Sequence, residues 1–474
     1  MDRERLKRLQ SIKIIISEAI MVLGVLLTVV ILAFVVSGYW LNADFQVERQ
    51  GMLQISSTPT GARINIDGED LPWLSLTNTS KILSSGEHSV TLTKDGYDTW
   101  SKTINISEGL LYRLHYPRLF LKDRTIESVL DIDSPSNASL SPDRNKVIIT
   151  GNTTKWKLIE LSMEAPKQTT IDISKLFSSV SIATEAEVGL FTGEIISAEW
   201  DSDSAHLLLQ TEYNEITEWV VLDVNHPERS INLTREFGSD FERVEIIDRS
   251  SNTLLAVVNH NLHRIDLSAL SISSVLVKNV TDFDYYNNKV VFSALLEDDG
   301  SSSETYYVGD FKVSDGKITE LKRFSLPVKV AISKFYDETY ITILHDNEVM
   351  VYPESTIDQG EVLRQVLSFS PSRMTVGHHG EFIELILDNL IATIDMESNT
   401  VKEWSVDSPN FGWLDDDILY SVTDSSLIIY DYDGLNRREL ARGVSSHFPV
   451  AITDDRWLYY VSNDTLIREW LIEH

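Results

Sequence analysis

The sequence predicts an all-β chain behind a single membrane-spanning helix, and three observations carry that expectation. An uncharged apolar run lies close to the N-terminus, glycine-punctuated alternating segments follow it, and from about residue 125 one strand pattern returns about every 44 residues. At 474 residues with 42% apolar and 24% charged content, the chain is long enough for two or three folded units and ordinary enough in composition to fold. It has no cysteine, which removes disulfides, thiolate nucleophiles and cysteine-ligated zinc from consideration.

The first 13 residues, MDRERLKRLQSIK, form a basic tail carrying Arg3, Arg5, Lys7, Arg8 and Lys13. Ala19 to Trp40 then runs without a charge. As a helix that run reaches roughly 33 Å, enough for a hydrocarbon core of roughly 30 Å. A membrane anchor is expected over residues 14–40, with Tyr39, Trp40 and Phe45 as interfacial aromatics. A cleaved signal peptide is the competing reading, because Val36-Ser37-Gly38 places small residues near the exit. The apolar run is longer than a signal core, and basic residues flank it on its N-terminal side only, until Arg49. The tail is therefore expected in the cytoplasm and the bulk of the chain outside it.

With 41 basic against 72 acidic residues the chain has a formal net charge of −31, and the five cations of the tail make the remainder more acidic still. A polyanion would be repelled, so no nucleic-acid partner is expected.

Between residues 51 and 116 lie Gly61, Gly68, Gly86, Gly96 and Gly109, separated by alternating runs such as ARINIDG, HSVTLTKDGY and SKTINI. That period is the period of half-buried strands in a small β-sandwich. Pro59, Gly61-Ala62, Asp67-Gly68, Gly86, His88 and Gly96-Tyr97 resemble the hallmark positions of the PEGA domain family. The resemblance implies a non-catalytic module of envelope proteins. The segment EDLPWLSLTNTSKI departs from the family's Gly-x-Thr-Pro pattern and leaves the middle hairpin undefined. His88 and Asp67 read as turn and strand-entry residues.

From residue 125 to 474 the repeat dominates. SLSPDRNKVIIT at Ser139 has seven relatives in order, beginning at Ala198, Val244, Asp282, Val330, Met374, Phe411 and Ala451. Each is a strand, a polar turn and an apolar strand; a second apolar strand and most often a polar one follow, as in TEWVVLDV and SINLTR. Four strands per unit at this spacing predict a β-propeller of eight blades, or seven if one irregular unit is misread. Pro142-Asp143 sits where the hairpin turns, so Asp143 is expected to close a turn and not to do chemistry. SLSPDRNKVIIT and IIYDYDGLNRREL resemble TolB-type and WD40-like propeller repeats, which implies a fold and no activity. The last unit, ending TLIREWLIEH, lacks a fourth strand, and a strand near 127–133 is expected to supply it and remove an open edge.

Candidate chemistry is sparse. Neither Gly-x-Ser-x-Gly nor His-Glu-x-x-His occurs. His378-His379 with Glu381 lies at a hairpin turn, and adjacent residues of extended chain face opposite ways. Asp201/Asp203, Glu297-Asp298-Asp299, Asp415-Asp416-Asp417 and Asp431/Asp433 offer oxygen ligands for calcium, yet all fall at turns where such residues are expected anyway. No catalytic, cofactor-binding or metal-binding residue and no cofactor is expected; calcium has no specific motif. One long insertion, Ser174 to Gly193, carries Leu176, Phe177, Leu190 and Phe191, which either form a binding loop or pack over a blade rim. The functional expectation is an envelope scaffold that binds protein or glycan. Its alternative is an exported hydrolase or lyase with an acidic site in the propeller channel.

Overall fold

The computed structural model describes residues 16, 18–30, 32–33, 39–41, 47–72, 76–132, 137–161, 165–181, 189–247, 252–296, 304–377 and 380–472. The basic tail, Glu297 to Gly300 and His378-His379 lie outside them. The chain divides into two compact units, 1–122 and 123–474.

In the first unit residues 18–30 are helical, and their apolar side chains stand open on all sides, as at Ile20, Leu23 and Val30. Among the described residues no helix is long and apolar enough to cross a membrane. The expected anchor 14–40 also ends differently from the expectation. Tyr39–Leu41 is a strand, with Tyr39 opposite Arg49 and Leu41 opposite Val47. Aromatic and branched residues beside an unpaired strand edge favour pairing, so Tyr39 and Trp40 do not continue the helix.

The sandwich has two four-stranded sheets. One joins Tyr39–Leu41, Val47–Ile55, Thr79–Ser84 and Leu111–Leu114; the other orders Glu69–Asp70, Arg63–Ile66, Gly86–Thr93 and Trp100–Ile106. Strict alternation in WSKTINI buries Trp100, Lys102, Ile104 and Ile106 while exposing the residues between. The undefined middle segment resolves into two strands in different sheets, Glu69–Asp70 against Arg63–Ile66 and Thr79–Ser84 against Val47–Ile55. His88 is a buried brace: Nδ1 lies 2.6 Å from the Asp67 carboxylate and Nε2 2.8 Å from the Ser84 carbonyl. Burial disfavours its charged form, but these two acceptors outweigh it and raise its pKa above the ordinary value.

The second unit is a propeller of eight four-stranded sheets. Its inner strands are Asn137–Leu140, Glu194–Trp200, Arg243–Ile246, Val280–Tyr286, Lys329–Phe335, Arg373–Val376, Phe411–Trp413 and Ala451–Thr453, for blades 1 to 8. The fourth strand of blade 8 is Ile126–Asp131, so the N-terminal end of the propeller closes the ring. Second and third strands bury both faces because each blade is stacked between two others. VII of blade 1 and LLL of blade 2 are accordingly continuous apolar runs. Val147, Ile149 and Ile159 of blade 1 pack on Trp457, Tyr459 and Leu466 of blade 8, which makes the core continuous across the seam.

Turn chemistry repeats with the blades. Asn259-His260, Asn287-Asn288, Asp424-Ser425 and Asn463-Asp464 each take positive φ at both residues, as two-residue hairpins of type I′ require. Of the segments expected as polar fourth strands, SSVLVKN (273–279) keeps only a bridge from Val277 to Leu262, and SINLTR is mostly something else. Ile231–Asn232 is its only strand, after which Leu233–Phe237 forms a helical turn capped by the Asn232 side chain on the Arg235 N–H (2.9 Å) and ended by left-handed Gly238.

Candidate functional site: the central channel

The inner strand of a blade has one hydrogen-bonding edge with no neighbour, and that edge faces the channel. In blade 5 the preceding blade covers it. The Asp282 and Asp284 carboxylates each accept a hydrogen bond of 2.8 Å, from the backbone N–H groups of Val330 and Ile332 respectively. The spacing of two residues on both strands is the β period at work, since alternate N–H groups point to the same side.

Arg243 opens the inner strand of blade 3 and completes this wall. Its guanidinium donates to Asp282 at 2.6 Å and to Glu245, and lies 4.3 Å from the centroid of the Phe283 ring. Glu245 keeps only 19% of its side chain accessible, and desolvation pushes its carboxyl up to about 8 despite the opposing pull of Arg243. Burial raises Asp284 to about 6 against the two backbone donors that hold it, and raises Glu199 as well. The channel widens beside this group into a cavity of about 700 Å³, lined by Arg243, Asp282, Asp284 and Tyr286 and by the inner strands of blades 5 and 6. Gly380 lets the blade 6 turn approach: at φ +71° an added Cβ would sit 2.3 Å from the Lys334 carbonyl oxygen.

Most acids of the described turns accept from groups a few positions away, while Asp416 accepts at 2.7 Å from Arg144 of blade 1. Asp143 accepts from the Ser141 hydroxyl at 2.5 Å and the Asn145 N–H at 3.1 Å, which closes its hairpin. Asp201 accepts from the N–H groups of Ala205 and His206, and its second oxygen lies 2.8 Å from His206 Nδ1. Asp415 accepts from the N–H groups of Asp417 and Ile418, at 2.9 and 2.7 Å. Asp431 accepts from the Asn436 amide, and Asp433 from the Leu435 N–H.

The four insertion residues divide. Leu176, Phe177 and Phe191 are buried against Trp156 in the core between blades 1 and 2, while Leu190 is 55% exposed. The three aromatic rings lie 5.1 to 5.7 Å apart, centroid to centroid. A short ribbon, Val180–Ser181 with Leu190–Phe191, sets this packing: alternation turns Phe191 inward and Leu190 outward. Of the two readings of the insertion, packing over the blade rim describes Leu176, Phe177 and Phe191, and Leu190 alone of the four stands exposed. Phe177→Leu is expected to lower stability by about 1 kcal/mol in a chemical melt, while Leu190→Ser stays within about 0.5 kcal/mol.

Nothing in the order of the sequence announced the Arg243 group. Its members lie on the inner strands of successive blades, and their only local signal was charge within strands of the repeat.

A small β-sandwich followed by an eight-bladed propeller is the class these two units define. Residues 50–117 are a PEGA domain. No curated protein matches the chain in sequence. Among solved structures, the oligogalacturonate lyase of Vibrio parahaemolyticus aligns at 12% identity over 62% of this chain and 96% of that one, with a TM-score of 0.39. PorZ, a surface component of the type-IX secretion system of Porphyromonas gingivalis, aligns at 16% over 71% of this chain and 42% of its own length, TM-score 0.41. Dipeptidyl peptidase 4 of Porphyromonas gingivalis aligns at 12% over 71% and 59%, TM-score 0.44. Likeness at this level carries no argument about activity.

Proposed function

We propose that this chain is a single-pass membrane protein whose PEGA domain and propeller stand outside the cytoplasm as a binding scaffold for an envelope protein or glycan. The helix at 18–30 supports the tether, because apolar residues open on every face suit lipid and not water. The observation that carries the binding reading is the channel itself. Its carboxylates are held in place by Arg243 and by the backbone of blade 5, so the cavity has a rigid polar wall.

One observation favours the hydrolase or lyase reading in second place. Burial raises both Asp284, which lines the cavity, and Glu245 behind Arg243, and a pair of perturbed carboxyls is what acid–base chemistry would need. Both Asp284 oxygens accept backbone N–H groups, from Ile332 and Tyr285, which ties that carboxyl to the wall.

Affinity capture with the full chain from detergent-solubilised membranes tests the choice. A stoichiometric partner retained by the native chain and lost with Lys334→Glu, a cavity-lining residue, is the expected result. Turnover of a glycan or peptide library, abolished by Asp284→Asn, would instead establish the enzyme.

A further inference from the structure

The eight inner strands carry only four cations, Arg243, Lys329, Lys334 and Arg373, and all four line the one cavity. In a chain of net charge −31, the lining of this cavity sets these four cations against two acids, Asp282 and Asp284. Three of the four, Arg243, Lys329 and Arg373, are the first residues of their strands. Inner strands of a propeller run the same way about the axis, so these three share one end of the channel.

Their pairing states differ in a useful way. Arg243 is fixed between Asp282 and Glu245 and stacked on Phe283. Lys329, Lys334 and Arg373 make no ion pair or side-chain hydrogen bond among the described residues. Of the acids near them, Asp282 is taken by Arg243 and Val330, Asp284 accepts from the backbone, and burial raises the carboxyl of Glu384, the acid that feels the charge of Arg373. The bland reading makes these three ordinary solvated cations. Against it stands their confinement: five of the eight inner strands have none.

The geometry points to a binding site for a small organic oxyanion, carboxylate or phosphate in type, held by Lys329 and Arg373 beside Arg243 at that end of the channel. Arginine offers paired N–H donors matched to such an anion, and lysine a compact charge. A cavity of about 700 Å³ admits a small molecule or the charged terminus of a larger one. The inference deepens the binding reading of the channel by giving its ligand a charge.

Calorimetric titration of the full chain in detergent micelles with citrate, and separately with inorganic phosphate, tests it. Saturable one-to-one binding of either is expected, weakening as salt rises. Lys329→Gln and Arg373→Gln are each expected to weaken it by at least roughly tenfold, the loss of one charge-assisted contact. Lys317→Gln, in a turn outside the cavity, is expected to leave it unchanged. Citrate binding without phosphate binding assigns a carboxylate ligand, and the converse a phosphate. No saturation by either anion, or equal weakening by Lys317→Gln, overturns the site. If anions fail while the captured partner persists, the ligand charge falls and the scaffold stands; if anions bind and no partner is captured, the reverse holds.

Discussion

Arg124→Ala is expected to cost the protein about 3–5 kcal/mol, the penalty of leaving a buried ionisable partner without its counterpart. Arg124 precedes the closing strand and reaches across the seam. Its Nε donates to Glu469 at 2.9 Å, and a terminal nitrogen donates to the Leu440 carbonyl of blade 7. Glu469, on the third strand of blade 8, is 2% exposed and takes a second hydrogen bond of 2.6 Å from the Tyr460 hydroxyl. Removing the guanidinium strands that carboxyl in the core and frees one tie between blades 7 and 8. The neighbouring pair of Arg468 and Glu127 provides the contrast. Glu127 keeps 41% of its side chain accessible, and the Arg468 it would leave behind stays stacked 4.2 Å from the Trp457 ring centroid, so Glu127→Ala should cost less than Arg124→Ala. Urea melts of the two variants distinguish them; equal losses would mean that the seam is not held by its buried network.

Glu384→Gln is expected to stabilise the protein at pH 8 and to change nothing at pH 5. Glu384 is 3% exposed, on the second strand of blade 6, and one of its oxygens has no hydrogen-bond partner. The other accepts from Trp413 Nε1 at 3.0 Å and from the Thr375 hydroxyl at 3.2 Å. Desolvation outweighs both donors and pushes the carboxyl up to about 7 from an ordinary value of 4.5. Because the folded value is the higher one, the native state holds a proton that the unfolded chain has released between pH 4.5 and 7. Stability therefore falls as pH rises through that window, by about 3 kcal/mol, and stays low above it. Glutamine keeps the acceptor for Trp413 and cannot ionise. A gain of about 5 °C in thermal midpoint at pH 8 is the expected reading. Glu245, raised to about 8, and Asp284, raised to about 6, act in the same direction, so the native protein should be most stable on the acid side of neutrality. A melting point that does not fall between pH 5 and 8 would contradict the burial of these three groups.

Much of the architecture was legible in the chain. Apolar runs bounded by polar turns located the middle strands of each blade, because a blade buries both faces of those strands and turns at their ends, whereas the fourth strands were less regular, as SINLTR shows. The missing last strand of TLIREWLIEH called for a partner, and Ile126–Asp131 is that partner because an unpaired edge is costly. Asp143 was readable as a turn residue since its hydrogen bonds are all within a few positions or one neighbouring blade.

What sequence periodicity determines is which residues share a face; it does not determine what that face meets. Only the closed ring decided that Phe177 and Phe191 would be core while Leu190 stayed outside, because the same apolar loop can cover a rim or stand free until the blades are placed. Likewise Arg243, Asp282, Lys329 and Arg373 are separated by up to 130 positions in the chain, and only the circular arrangement of inner strands brings them to one cavity. Local pattern is a property of neighbours along the chain, whereas burial and electric field come from neighbours in space.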